Sequence, residues 1–361
     1  MPRGKLAIAV VAALAVSVLV PFTTFRGSDG PDLRALVDDL VEAGAPGALI
    51  VTRENGRARA EAAGIADPLH SVRMGPDSRF RAGSISKTFV ATVVLQLVQE
   101  GKIGLDDTVE GWLPGLVEGG RRITVRQLLS HTSGLPDYVD DPRLTRDLER
   151  RWAPVQLVAL ASSRLRTATG RFAYASTNYI LLGLVAEKAA GLPLARLLDD
   201  RIFEPLDLRH TGLELSRVHG PHVRGHRPPS HQGVVTGVPV PLESEEAWWA
   251  WSAGAVVSTA EDLQRFFAAL LEGRLLGRDL LGEMETLIPA GRNRYGLGIA
   301  VYPTRCGPAW GHTGNVLGTV VVAWSSRDGS RQLVLVVNSF PLSPALEATV
   351  REAQDAAFCS A

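Results

Sequence analysis

Ser84-Ile85-Ser86-Lys87-Thr88-Phe89-Val90 opens a run that stays largely apolar as far as Glu100. Phe89, Val90, Val93, Val94, Leu95, Leu97 and Val98 fall on nearly every side of a helix over residues 84–100, and Gly101 ends it. A helix that is apolar all round is buried. A serine at its N-terminus has a free backbone N–H that can face an oxyanion. A residue three positions on shares the same helix face, so Lys87 reaches Ser84. Burial disfavours the ammonium and favours an amine that can take a proton. The competing reading is a lysine turned outward as a solvated cap.

On the N-terminal side, Leu33, Leu36, Val37, Leu40 and Val41 give Asp32 to Ala43 one apolar helical face. Ala48 to Thr52 reads as a strand, Asn55-Gly56 as a hairpin turn and Arg57 to Gly64 as the returning strand. Past the central helix, short helical patterns alternate with loops rich in Pro and Gly, and His219 to Pro241 reads as a long surface loop. Strand patterns return at Tyr295 to Tyr302, Thr319 to Ser325 and Gln332 to Asn338, before a closing helix over Leu346 to Phe358. This order predicts one sheet domain over residues 31–361, built from 31–105 and 245–361, with a helical insertion at 106–244.

Composition narrows the functional classes. The 361 residues carry 38 basic and 38 acidic side chains, so no basic field exists to attract nucleic acid. Only four of the basic residues are Lys (Lys5, Lys87, Lys102 and Lys188). Arg stays charged and cannot serve as a base, so a buried Lys in this chain is informative. Arg3 and Lys5 precede an uncharged stretch from Leu6 to Phe25. Residues 1–30 therefore read as an export signal, or as a retained membrane anchor, followed by a linker. Either reading places the remainder outside the cytoplasm. Cys306 and Cys359 would then meet an oxidising compartment and form a disulfide, with two free thiols as the alternative.

Two more segments can carry chemistry. Tyr174 lies in Phe172-Ala173-Tyr174-Ala175-Ser176-Thr177-Asn178-Tyr179, and taken alone it reads as a packing residue. His312 lies in Trp310-Gly311-His312-Thr313-Gly314-Asn315, where the glycines allow a backbone to approach a ligand closely. Read alone, this too is compatible with an ordinary turn.

Together the three segments resemble the penicillin-recognising serine hydrolases: D-alanyl-D-alanine carboxypeptidases, class C β-lactamases and related esterases. The exported carboxypeptidase branch is the most similar. The resemblance extends over residues 31–359 and includes Gly44-Ala45-Pro46-Gly47-Ala48, Ile123-Thr124-Val125-Arg126-Gln127-Leu128-Leu129-Ser130-His131, Trp251-Ser252-Ala253-Gly254-Ala255-Val256 and Tyr295-Gly296-Leu297-Gly298. It implies an α+β fold, an antiparallel β-sheet flanked by helices with an inserted all-helical region. It implies Ser84 as the acylated nucleophile, Lys87 and Tyr174 as its acid–base partners, and His312 as a further catalytic residue on the sheet's edge strand. The N–H groups of Ser84 and Asn315 would form the oxyanion hole. Ser176, Trp249, Thr313 and Gly314 would line the substrate site, and Cys306 and Cys359 fall where the branch has its disulfide. The implied partners are small peptides, esters or β-lactams, with no cofactor and no metal. A D-alanyl-D-alanine carboxypeptidase-like activity is expected, with an esterase or amidase of altered recognition, or a non-catalytic penicillin-binding module, as alternatives.

Three departures touch recognition. Ser176 stands where the family motif has Asn, Ala300 where the carboxypeptidase branch has an Arg for the substrate carboxylate, and Asn315 where that branch has Thr. Arg294 and Arg305 are the nearby cations that could compensate. Three other features read as structural. Ser252 imitates a nucleophile elbow without a clean strand before it. His222, His226 and His231 lie in a Pro-rich loop that gives a metal no scaffold. His131, in Ser-His-Thr-Ser-Gly, reads as a structural residue.

Overall fold

Asn55 and Gly56 both take positive φ, 48° and 83°, and turn strand Gly47–Glu54 back onto Arg57–Asp67. The computed structural model describes residues 31–162, 167–231, 234–235 and 237–359. The predicted export segment, 1–30, lies outside the described residues. Strand Gly47–Glu54 pairs on its other side with Arg331–Val337, which carries the chain's C-terminal strands into the same sheet. Nine strands result, all antiparallel. Their order is Ile288–Ala290, Asn293–Tyr295, Ala300–Thr304, Gly307–Val316, Thr319–Ser325, Arg331–Val337, Gly47–Glu54, Arg57–Asp67 and Val72–Arg73.

The central strands are buried on both faces, and their alternation builds two cores. Leu49, Val51, Val321, Ala323, Val334 and Val336 face the larger one, with helices Ser86–Gln99, Thr177–Ala190 and Ala260–Leu271. Ala48, Ile50, Val320, Val322, Leu333 and Leu335 face the smaller one, against helices Leu33–Glu42 and Pro344–Cys359. Cys306 and Cys359 are joined, which ties the closing helix to the turn between two strands.

The fold is the expected α+β arrangement with an antiparallel sheet and a helical region. The helical region differs from an all-helical one in its last part. Gly212–Leu213 pairs with Val256–Ser258, and four two-residue strands between His226 and Pro241 form two more antiparallel pairs. The segment read as a surface loop is also partly buried: His222, Val223, Arg224 and His226 are interior. Arg224 Nε lies 3.1 Å from Asp67 Oδ1, and Nη1 lies 3.3 Å from Glu245 Oε2. Paired charges anchor this segment, and apolar periodicity cannot register such anchors.

The central α-helix begins at Ser86 rather than Ser84. A 3₁₀ turn, Gly83–Ile85, precedes it, because Gly83 takes φ +56° and breaks the helical path.

Candidate active site

Strand Gly307–Val316 is the fourth of nine, yet half of it is an open edge. Its pairing with Ala300–Thr304 ends at Gly311, so residues 312–316 leave one edge free to face the Gly83–Ile85 turn. Two glycines set that approach. A Cβ on Gly314 would lie 1.9 Å from the Ala82 oxygen, and one on Gly83 would lie 2.9 Å from the Asn315 nitrogen. The backbones of the serine turn and the strand therefore touch, with Gly83 against Gly314 and Asn315.

Lys87 is 1% exposed. Its Nζ donates to Ser84 Oγ at 2.9 Å and to the Ala253 carbonyl at 2.8 Å. Desolvation lowers its pKa to about 7, and the nearby Asp137 carboxylate partly offsets this. Lys87 thus points inward, and the solvated-cap alternative does not hold. The ring centroid of Tyr174 is 5.0 Å from the same Nζ, and its phenol is hydrogen-bonded to Ser84. Tyr174 as a whole is 39% exposed, while desolvation of the phenol raises its pKa above the ordinary value. Ser84 thus sits between an amine close to neutrality and a phenol that keeps its proton. These are a proton acceptor and a proton donor.

His312 is buried. Its Nδ1 bonds the Thr313 carbonyl and its Nε2 lies 3.0 Å from the Tyr295 hydroxyl. An N–H donated to the carbonyl leaves Nε2 as the acceptor from Tyr295, and burial lowers the pKa to about 4. His312 is therefore uncharged at neutral pH. The side chains of Thr313 and Asn315 are exposed, and Ser176 is buried at the start of helix Thr177–Ala190. Trp249 is half-buried against a small cluster of Ala247, Ala250 and Ala255, and its carbonyl accepts from Tyr138 Oη at 2.6 Å.

Neither Arg294 nor Arg305 is free to replace the absent arginine. Ala300 is 8% exposed and packs in the smaller core with Tyr295 and Ala309. Arg294 donates to the Leu287 carbonyl, and Arg305 lies beside Asp355. A carboxylate that sequence reading missed, Asp137, lies near Lys87 instead. It is half-buried, hydrogen-bonded by the Ser176 backbone and close enough to act on Lys87. Its pKa is raised by burial. The Ala253 carbonyl, which holds the lysine amine, and Asn178, which bonds His131, were also missed. Backbone acceptors and contacts across a fold leave no sequence signal.

Ser252 is fully buried and donates to the Tyr179 carbonyl at 2.8 Å, so it is no rival nucleophile. His222 Nε2 bonds Glu245, and His226 Nδ1 bonds the Arg224 carbonyl. Among the described residues no group of His, Cys, Asp and Glu is arranged to hold a metal.

A family profile described as Beta-lactamase matches residues 33–357. Among solved structures, a D-stereospecific amidohydrolase from Streptomyces sp. superposes with a TM-score of 0.82 at 35% identity, covering 92% of this chain and 100% of that one. D-amino acid amidase from Ochrobactrum anthropi SV3, complexed with L-phenylalanine amide, gives 0.78 at 26% identity, covering 90% and 97%. Penicillin-binding protein 4 of Amycolatopsis lactamdurans is 32% identical over 228 residues, 61% of this chain and 58% of that protein. The chain spans 33% to 64% of the length of the first curated relatives it matches. With a profile matched over nearly its whole length and a serine site of this geometry, the chain belongs to the Beta-lactamase family and is a serine hydrolase of that fold.

Proposed function

We propose that the protein is an acyl-serine amidase acting on amides of α-amino acids or short peptides that present a free ammonium group. The observation that carries this is the charge of the site. The position of the carboxylate-binding arginine is a buried alanine, His312 is neutral, and Asp137 supplies a negative charge beside Lys87. A substrate carboxylate would meet no partner, while a substrate ammonium would meet Asp137. The amidohydrolase and the D-amino acid amidase with which the chain superposes support D-amino acid amides as the first substrates to try. This replaces the carboxypeptidase expectation with the amidase alternative.

In this reading Lys87 takes the Ser84 proton as Oγ bonds the carbonyl carbon. The Ser84 and Asn315 N–H groups hold the oxyanion. Tyr174 gives its phenolic proton to the leaving amine as the C–N bond breaks. The proton on Lys87 then returns to the phenolate, a downhill step because the amine pKa is lowered and the phenol pKa raised. Water releases the acyl group by the reverse sequence. Ser176, Trp249, Thr313 and Gly314 would line the substrate cleft. Export belongs to the same proposal and is supported by the Cys306–Cys359 bond.

The test compares D-phenylalanine amide, its N-acetylated form and an N-acylated D-Ala-D-Ala peptide, with wild type and Asp137→Asn. The free-amine amide should be turned over best. Asp137→Asn should raise its KM by about ten- to a hundredfold, as expected for one charged hydrogen bond. Preference for the D-Ala-D-Ala peptide would overturn the reading.

A further inference from the structure

His131 grips three consecutive residues around the proposed acid. Its carbonyl accepts from Ala173 N–H at 2.9 Å. Its Nδ1 accepts from Ala175 N–H at 3.2 Å. Its imidazole stacks on the Tyr174 ring between them, with centroids 4.2 Å apart and planes 28° from parallel. The imidazole is fully buried and also lies against Tyr179, Tyr295 and Phe172. Asn178 Nδ2, 3.1 Å from the same Nδ1, is held in turn by Ser133 Oγ at 2.6 Å from its Oδ1. Since Nδ1 accepts the Ala175 N–H, the proton sits on Nε2, which has no hydrogen-bond partner among the described residues. The backbone at His131 takes φ +55°, a left-handed conformation that side-chain-bearing residues seldom adopt. Strain and an orphaned buried N–H persist only where the surroundings fix them, and such costs gather at functional sites.

We infer that His131 is a positioning residue for Tyr174, a neutral clamp that fixes the phenol against Ser84 so that it can protonate a poor leaving group. Nothing in this role requires His131 to touch substrate. The facing groups are the phenols of Tyr174, Tyr179 and Tyr295, the Asn178 amide and, through space, Lys87 and His312. A charged imidazole there would repel the protonated Lys87, so the clamp works only as the neutral ring. The inference rests on the acyl-serine reading above.

The test separates clamping from general structure by leaving group. An anilide needs its departing nitrogen protonated, whereas a p-nitrophenyl ester does not. His131→Asn tolerates the left-handed backbone and keeps an acceptor near the Nδ1 position, but loses the stack. His131→Phe keeps a ring and loses the acceptor. Each is made in wild type and in Tyr174→Phe, with D-phenylalanine p-nitroanilide and the matching p-nitrophenyl ester as substrates, and Ser84 phosphonylation as the check on folding.

Both variants should lower the anilide-to-ester rate ratio by about tenfold or more while Tyr174 is present, and leave it unchanged in Tyr174→Phe. Equal losses for both leaving groups, the same loss without Tyr174, or loss of Ser84 phosphonylation in both variants would overturn the inference. If wild type leaves the anilide untouched, the amidase reading fails. The clamp is then judged by the same ratio with an ethyl ester in place of the anilide.

Discussion

The amine of Lys87 lies 2.9 Å from Ser84 Oγ while it donates to the Ala253 carbonyl at 2.8 Å. One hydrogen bond aims the amine and the other connects it to the nucleophile. Burial holds the pKa near 7, where the amine exists in both protonation states.

Acylation of Ser84 should therefore rise with pH through about 7 and then level off. Below that point the rate should fall about tenfold per pH unit as Lys87 gains a proton. Tyr174, with its pKa raised, should add no descending limb through mildly alkaline pH. The profile of kcat/KM with an ester substrate checks this. Lys87→Arg should be nearly as damaging as Lys87→Ala, because Arg keeps the charge and cannot give up its proton.

The same burial makes Lys87 a stability cost. The folded protein holds its amine near pKa 7, against 10.5 ordinarily, so between those pH values the unfolded chain binds more protons. Stability then rises with pH across that window. Lys87→Met should abolish turnover and stabilise the fold by roughly 2 kcal/mol at pH 7. The lost deprotonation penalty is on the order of 5 kcal/mol, less about 1–3 for the orphaned Ala253 carbonyl and related lost contacts. The gain should shrink as pH rises and reverse before pH 10.5, above which only the lost contacts, about 1–3 kcal/mol, remain. Urea unfolding at pH 7 and near pH 10 measures it.

Gly314→Ala should separate the strand from the serine turn. Its Cβ would stand 1.9 Å from the Ala82 oxygen, so the 312–316 edge must shift outward. A displacement of about 1 Å at an oxyanion site lowers the rate on the order of a hundredfold. Phosphonylation kinetics of Ser84 report the loss, and a melting curve shows how much of the fold remains.

The disulfide should matter to stability more than to chemistry. Cys306 and Cys359 are 53 residues apart in the chain. Opening that loop costs up to about 4 kcal/mol in the chain-entropy model. The Cys306→Ser, Cys359→Ser double variant should unfold at lower urea with kcat nearly unchanged. Non-reducing peptide mapping of the wild type should find no free thiol.

The sequence by itself determined the local features. The apolar run after Ser84 predicts a buried helix, and its three-residue spacing already brings Lys87 onto the serine. The Asn55-Gly56 hairpin and the C-terminal strands are legible for the same reason, since turn chemistry and side-chain alternation act over a few residues. Tyr174 and His312 carry no such signal and were visible only by family resemblance. Tertiary structure alone decided the state of the groups. His312 is neutral because burial strips it of solvent, and Ala300 is lost to the smaller core. Asp137 lies close enough to act on Lys87, and His131 clamps Tyr174 from 43 residues earlier in the chain. Desolvation and hydrogen bonding across such separations depend on where the folded chain passes, and no local pattern of residues encodes that path.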